Sequence, residues 1–119
     1  MHELSVCQAL IDQVEQLARE QQALGVARIE VAVGPLSGVE PQLLEQAYPI
    51  AAAGSLAEGA ELRLEPSPVR VHCAQCNRDS DASANRLLCA HCGNWQTSLL
   101  SGDELLLIRV EFYREQAYV

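Results

Sequence analysis

The sequence predicts a two-layer α/β sandwich of the α+β class, with two helices on a three-stranded mixed sheet and a small inserted module. Two segments carry apolar residues at helical spacing, three carry alternating apolar residues, and a cysteine-rich stretch precedes the last strand. The predicted order is helix, strand, helix, strand, insert, strand. We expect residues 1–68 to form the first part of the sandwich, 69–101 the insert and 102–119 the final strand.

Both predicted helices are amphipathic. In residues 4–24 apolar side chains recur at three- and four-residue steps, and Gly25 is expected to end the helix. The second helix lies in SGVEPQLLEQAYPIAAAG, where Pro41 fits the first turn because its missing N–H is harmless there. Pro49 removes a helical hydrogen bond, so we expect a kink or an early end at that residue.

The three predicted strands alternate with period two. In ARIEVAVG, Ile29, Val31 and Val33 alternate with other residues, which predicts a half-buried strand. AELRLE is predicted to turn its two leucines inward. In ELLLIRVEFYRE one face carries only apolar residues, namely Leu106, Ile108, Val110 and Phe112.

Length and charge limit the possible functions. The 119 residues suffice for one globular domain with a small appendage. The net charge is −8, and all eight basic residues are arginines, which argues against a nucleic-acid partner because phosphate binding rests on basic side chains. No apolar run reaches the ~20 residues that span a bilayer, and no basic signal-peptide start is visible, so we expect a cytoplasmic protein without a membrane partner.

Four of the five cysteines lie in the insert as two C-x-x-C pairs. Cys73 and Cys76 form the first pair, Cys89 and Cys92 the second, and twelve residues separate the pairs. Each pair can fold into a knuckle that aims both sulfurs at one point, and four thiolates in a tetrahedron suit structural zinc. The sequence therefore predicts a zinc-ribbon-like module. A thioredoxin-like redox motif is the alternative, but the pairing of two motifs and the missing βαβ context disfavour it.

Three further residues could take part in metal chemistry. His72 and His91 flank or lie within the knuckles, and we expect surface positions beside the zinc site, although the sequence leaves open whether either binds zinc. Cys7 lies on the apolar face of the first helix and is expected to be a buried, inert thiol.

The chain opens MHELSV, which offers a compact set of nitrogen donors. If Met1 is retained, as expected before a bulky histidine, its amine closes a five-membered chelate ring with the His2 amide. The His2 amide and imidazole Nδ1 close a six-membered ring, and the Glu3 amide or carboxylate would complete a square, which Ni(II) and Cu(II) prefer. The alternative is a histidine without a role, with Glu3 as an ordinary acidic residue of the first helical turn.

Four segments together resemble the HypA/HybF family of nickel metallochaperones: MHELSVCQAL, VGPLSGVEP, GSLAEGAELRLE and the paired C-x-x-C insert. The resemblance covers nearly the whole chain. It implies the predicted fold, a nickel site at Met1, His2 and Glu3, and a zinc site at the four cysteines of the insert. It also implies nickel delivery to [NiFe]-hydrogenase or urease, with a HypB-type GTPase, the hydrogenase large subunit and urease maturation proteins as partners.

Two departures from the family accompany this resemblance. Pro49 stands where an uninterrupted helix is expected, and Asn77 and Gly93 stand where some relatives have a histidine after a C-x-x-C pair. The second departure puts a histidine-for-cysteine exchange between zinc and nickel states in doubt.

The leading hypothesis is a nickel carrier, not an enzyme, because no nucleophile–base pair or phosphate-binding glycine loop is visible. In this hypothesis Ni(II) is cargo and Zn(II) is structural. A zinc-ribbon adaptor that scaffolds a partner without nickel is the alternative. A nucleic-acid reader is disfavoured by the charge and by the single tryptophan, Trp95, in the insert.

Overall fold

The structure is a computed structural model that describes residues 2–114, with the backbone alone for His2. The elements follow one another as α1 (His2–Glu20), β1 (Gly25–Val33), α2 (Pro41–Ala52), β2 (Glu61–Pro66), β3 (Arg70–Cys73), β4 (Asp79–Asp81), β5 (Thr97–Ser101) and β6 (Leu105–Tyr113). Neither helix in this part of the chain is apolar and long enough to cross a bilayer.

The described residues divide into two compact units. The first is formed by residues 2–31, 40–64 and 107–114 and contains both helices. The second is formed by residues 32–39 and 65–106, so it contains the predicted insert together with segments on either side of it.

The first sheet has the strand order β2-β1-β6. The Leu24 N–H donates to the Tyr113 carbonyl at 2.8 Å, which joins the start of β1 to the end of β6 and makes these strands antiparallel. The Ser67 N–H, just after β2, donates to the Val33 carbonyl at the end of β1, so these strands are parallel and α2 lies in the crossover. The predicted two-layer fold with a three-stranded mixed sheet is confirmed.

The helices α1 and α2 pack against each other, and their buried side chains form the core of the first unit with those of β1. The largest fully buried members are Cys7, Val14, Ile29, Val31 and Leu44.

The prediction of a half-buried β1 is wrong, because every residue of the stretch 29–33 is buried. β1 is the central strand, so strands cover both of its edges. Glu30, on the polar side of the strand, is only 8% exposed, and the guanidinium groups of Arg28 and Arg109 each lie 3.8 Å from its carboxylate. On this face of the strand, Glu30 is therefore shielded from solvent by ion pairs with arginine side chains rather than by apolar contacts.

The first helix does not end at Gly25 as predicted. Gln22 adopts a φ of 55°, and the Ala23 N–H bonds to the Ala18 carbonyl at 2.8 Å, which is a Schellman-type end one turn earlier. Gly25 instead opens β1, where a Cβ would meet the phenol ring of Tyr113. The glycine is therefore needed for close packing, and a glutamine takes the left-handed position.

The predicted early end at Pro49 is also wrong, because α2 continues through this residue. Pro49 is exposed, so water can bond to the Glu45 carbonyl that loses its helical partner. The next turn places Ala51 and Ala52 in the core, at 7% and 2% exposure. Burial of these two alanines stabilises the last turn of the helix and offsets the free energy that the proline costs. Pro41 lies in the first turn, as predicted.

The second sheet has the order β4-β3-β5, and both pairs are antiparallel. Val71 of β3 lies opposite Ser80 of β4 and Leu99 of β5, and it is fully buried. The large aliphatic side chains buried in this unit are Val33, Val69 and Val71. Two of the cysteines, Cys73 and Cys89, complete its small interior.

We expect Pro49→Ala to stabilise the first unit by about 1–2 kcal/mol. The alanine restores an N–H to the interior of α2 and removes a clash, although the unfolded chain gains some entropy. Denaturant unfolding followed by far-ultraviolet circular dichroism measures the change. Ile50→Ala, at a neighbouring position that is 70% exposed, is the control and should change stability by less than about 0.5 kcal/mol. Destabilisation by Pro49→Ala would show that the ring itself contributes packing.

Candidate metal centre

The structure brings the four cysteines of the insert together. The sulfur atoms of Cys73, Cys76, Cys89 and Cys92 all lie within 4.8 Å of one another. Two of the separations, Cys73 to Cys92 and Cys76 to Cys89, are 3.6 Å. A regular tetrahedron with Zn–S bonds of about 2.3 Å has S···S edges of about 3.8 Å, so the cluster fits zinc. These separations are far beyond the about 2.05 Å of a disulfide, and all four thiols are free.

The first knuckle is a tight turn after β3. The Asn77 N–H donates to the Cys73 carbonyl at 2.9 Å, and the Cys76 N–H donates to the Cys73 sulfur at 3.4 Å. Asn77 closes the turn with a φ of 58°. Asparagine tolerates this left-handed conformation better than most residues, so its place after the C-x-x-C pair has a backbone cause.

The second knuckle repeats this geometry. The Gly93 N–H donates to the Cys89 carbonyl at 2.9 Å, and the His91 N–H donates to the Cys89 sulfur at 3.3 Å. Gly93 has a φ of 75°, equivalent to that of Asn77. The two positions that directly follow the C-x-x-C pairs are thus the two left-handed positions of the cluster, filled here by residue types that suit them.

Two hydroxyls hold the second knuckle in place, and neither was predicted from the sequence. Ser80 of β4 is buried, and its Oγ accepts a hydrogen bond from the Ala90 N–H at 3.0 Å. Thr97 of β5 donates through Oγ1 to the Leu87 carbonyl at 2.7 Å. The knuckle is therefore tied to both outer strands of the sheet. The only indication in the sequence is a serine between two aspartates, and this pattern is equally typical of an exposed loop.

Both histidines of the insert bond to Asp79. His72 Nδ1 lies 2.7 Å from the Asp79 carboxylate, and His91 Nε2 lies 3.2 Å from the Asp79 backbone oxygen. Because side chains alternate along β3, His72 points away from the face that carries Cys73. The metal-ligand grouping found among the described residues contains the four cysteines and neither histidine.

The four thiols differ in acidity. The pKa of Cys89 is lowered to about 6, chiefly because the Cys92 N–H hydrogen bonds to its sulfur and secondly because the His91 N–H does. Desolvation and hydrogen bonds with the other thiols raise the pKa of Cys76 to about 12. The Asn94 N–H lowers the pKa of Cys92, but desolvation and the thiols of Cys73 and Cys89 raise it on balance. Without metal, the cluster holds one ready thiolate at Cys89 and protons on Cys76 and Cys92.

The fifth cysteine lies apart, in the first unit. Cys7 is fully buried on α1, and its thiol donates to the Leu44 carbonyl at 3.5 Å. Burial, and secondly the charge of Glu3, raise its pKa. These features match the predicted buried, inert thiol.

The predicted nickel residues stand at the start of α1. Met1 and the side chain of His2 lie outside the described residues, and α1 begins with the backbone of His2. Glu3 is in the first helical turn, and its carboxylate accepts a hydrogen bond from the Glu40 N–H at 3.3 Å. Glu40 is the N-cap residue of α2, so Glu3 links the starts of the two helices.

We expect wild-type protein to bind one zinc ion per chain and Cys76→Ser to bind it at least about tenfold more weakly, because one of four thiolates is lost. Competition with a chromogenic chelator measures the affinity. Cys7→Ala is the control, since it removes a thiol from the first unit and should leave zinc binding unchanged. Equal loss in both variants would contradict the assignment of the four-cysteine cluster to zinc.

Zinc binding at neutral pH should release at least the two protons held by Cys76 and Cys92, because a tetrathiolate site requires them to ionise. Zinc affinity should therefore rise with pH. Titration calorimetry in buffers of different ionisation enthalpy counts the protons. Release of one proton or none would contradict the protonation state assigned to the metal-free cluster.

Comparison with known proteins supports these assignments at the level of the family. Residues 1–112 match the family described as "Hydrogenase/urease nickel incorporation, metallochaperone, hypA". The hydrogenase maturation factor HypA of Nitrosospira multiformis is 50% identical over 111 residues, which cover 93% of this chain and 96% of that protein. HypA of Aquifex aeolicus is 39% identical over 111 residues with the same coverage.

Solved structures agree with the fold. The solution structure of the nickel metallochaperone HypA from Helicobacter pylori matches with a TM-score of 0.72 at 26% identity, covering 95% of this chain and 98% of that one. A second HypA solution structure gives a TM-score of 0.74, also at 26% identity. The resemblance found in the sequence is confirmed: the chain belongs to the HypA family of nickel-incorporation metallochaperones.

Proposed function

We propose that this protein carries Ni(II) at its N-terminus and delivers it during [NiFe]-hydrogenase maturation, with nickel as cargo and zinc as a structural ion. Membership in the nickel-incorporation family supports the class of function. The location of the nickel site is supported by the start of α1 at His2. At a helix start the first backbone N–H groups have no acceptor within the helix.

The backbone amides at a helix start are available for chemistry. The first four N–H groups of an α-helix have no acceptor within the helix. In α1 these include the amides of His2 and Glu3. Nickel can therefore displace their protons without breaking a helical hydrogen bond. Together with the Met1 amine and the His2 imidazole, these amides form the nitrogen-rich set that Ni(II) prefers.

The contact between Glu3 and Glu40 supports a choice between the two candidates for the fourth donor. The Glu3 carboxylate is engaged by the Glu40 N–H, whereas the Glu3 amide, at the start of α1, has no acceptor within the helix. We therefore take the Glu3 amide, rather than its carboxylate, as the fourth ligand. The carboxylate then holds the first turn of α1 against the start of α2.

A site at the chain end suits transfer rather than storage. Ligands from a receiving protein can displace the terminal donors one at a time, and protonation of the amine and imidazole weakens binding as the pH falls. We propose the hydrogenase large subunit as recipient and a HypB-type GTPase as the partner that hydrolyses nucleotide, since the family itself incorporates nickel without a catalytic role. Urease maturation proteins are the corresponding partners where urease is the recipient.

The zinc ion bound by the four cysteines has a supporting role in this proposal. The cluster offers four protein ligands and no open position, which is typical of structural zinc. It stabilises a unit whose interior is small, and we propose that residues 69–101 order around it. The free thiols of the cluster fit a cytoplasmic location, where cysteines remain reduced.

Nickel titration of protein with a native N-terminus tests the site. We expect one nickel ion per chain, with binding at least about tenfold weaker in His2→Ala and in a protein with added residues before Met1, because each change removes a donor from the chelate. Isothermal calorimetry on zinc-loaded protein gives the affinity. Undiminished nickel binding in either protein would refute the N-terminal site.

Two matched variants sharpen this experiment. His91→Ala removes a histidine that bonds to Asp79, and it should leave nickel binding unchanged. Glu3→Gln keeps the backbone amide and should retain nickel, whereas a loss would assign the fourth ligand to the carboxylate. Full hydrogenase maturation by cells that carry His2→Ala would instead favour the zinc-ribbon adaptor.

A further inference from the structure

A largely apolar hollow lies beside the proposed nickel site, between the first turn of α1 and one face of α2. Its volume is about 290 Å³, and its lining residues are Glu3, Leu4, Leu43, Gln46, Ala47 and Ile50. Leu43 is 46% exposed and Ile50 is 70% exposed. Neighbouring exposed apolar side chains around a hollow with a polar rim are typical of a surface that binds another protein.

The spacing of the lining residues defines a second stripe on α2. Positions 43, 46, 47 and 50 follow one another at three- and four-residue steps, which places them along one line on the helix surface. The stripe that faces the core is a different one and comprises Leu44, Ala47, Tyr48, Ala51 and Ala52. Because Ala47 belongs to both, the exposed stripe borders the core directly. An amphipathic helix laid along such a stripe buries its own apolar face against it.

We propose that the protein that receives nickel docks in this hollow, through an amphipathic helix whose apolar face is flanked by basic side chains. This inference rests on the proposed nickel-carrier function. Glu3 lines the hollow and stands two residues after Met1, so a helix bound there holds the recipient next to the end of the chain. Transfer needs such contact, because the recipient's ligands must replace the terminal donors one at a time.

The charge around the hollow favours a basic partner. Glu3 is one of the lining residues, and the exposed Glu40 bonds to its carboxylate through the backbone N–H at 3.3 Å. Glu45 is exposed on α2. α2 contains no basic residue, and the only arginine of α1 is Arg19, near the opposite end of that helix. An acidic rim around an apolar centre attracts a helix with basic flanks and disfavours acidic partners.

Two other occupants fit the hollow less well. A second copy of this chain has a net charge of −8 and would bring further acidic groups to an acidic rim. Residues 115–119 follow β6, whose Tyr113 carbonyl bonds to the Leu24 N–H beyond the end of α1. From Glu20 back to Leu4 the helix measures about 24 Å, whereas five residues span at most about 18 Å. The end of the chain therefore falls short of Leu4.

Binding of the purified, nickel-free hydrogenase large subunit tests the docking surface, with biolayer interferometry as the measurement. Leu43→Ala combined with Ile50→Ala should weaken the complex at least about tenfold, because both apolar contacts are lost. Glu45→Lys should also weaken it, and the wild-type Kd should rise at least about tenfold between about 50 and 500 mM salt. Since these side chains are exposed, circular dichroism should show an unchanged fold.

Matched controls come from the far end of α1. Leu24 is 54% exposed, and Glu20 is exposed in the last turn of the helix. Leu24→Ala and Glu20→Lys should therefore leave the complex unchanged. Equal weakening by these controls would overturn the proposal. So would weaker binding of the HypB-type GTPase, with binding of the large subunit unaffected, in the variants at positions 43, 45 and 50.

Nickel titration of the same proteins separates this proposal from the proposed function. The variants at positions 43, 45 and 50 should bind nickel like the wild type, and His2→Ala should lose nickel but keep its affinity for the large subunit. Full affinity for the large subunit in the variants at positions 43 and 50 would overturn the docking surface and leave the nickel site standing. Normal nickel binding by His2→Ala would do the reverse. Absence of any complex with the wild-type protein would overturn the docking proposal alone.

Discussion

Convergence of four sulfur atoms is the constraint on which the second unit depends. Its three large buried aliphatic side chains, Val33, Val69 and Val71, form too small an interior to order a unit of this size by apolar burial. In the two knuckles, backbone N–H groups bond to the carbonyls and sulfurs of Cys73 and Cys89 and hold the cysteine side chains close together. A metal ion then joins segments that are far apart in sequence, and its binding energy becomes folding energy.

The first unit is held by a different kind of interaction. Apolar residues from α1, α2 and β1 supply the core, and ion pairs between arginine and glutamate side chains lie on the polar side of the sheet. Arg28 lies within 3.4 Å of both Glu61 and Glu111, and it is joined to Glu30 at 3.8 Å. This network explains how the charged side chain of Glu30 is buried on the polar side of the sheet.

Elements with strong periodicity and the C-x-x-C pairs were predictable from the sequence, because alternation, helical spacing and ligand spacing are local signals. What was not predictable depended on contacts between distant segments. Gly25 is required by Tyr113, so it did not end α1, and Gln22 took a conformation that its residue type rarely favours. Pro49 stayed in a helix because the residues after it are buried. The contact of Glu3 with Glu40 joins residues 37 positions apart, which no local pattern reveals.

The sulfurs of the cluster are unequally accessible to solvent. Cys73 and Cys89 are buried, Cys76 is intermediate and Cys92 is exposed. An electrophile or oxidant that reaches the site therefore meets the Cys92 sulfur first, on the knuckle that Ser80 ties to the sheet. Loss of this one ligand leaves three thiolates that can still bind the metal. Oxidation should therefore first lower the affinity for the metal while the fold stays intact, and unfolding of the unit should come only later.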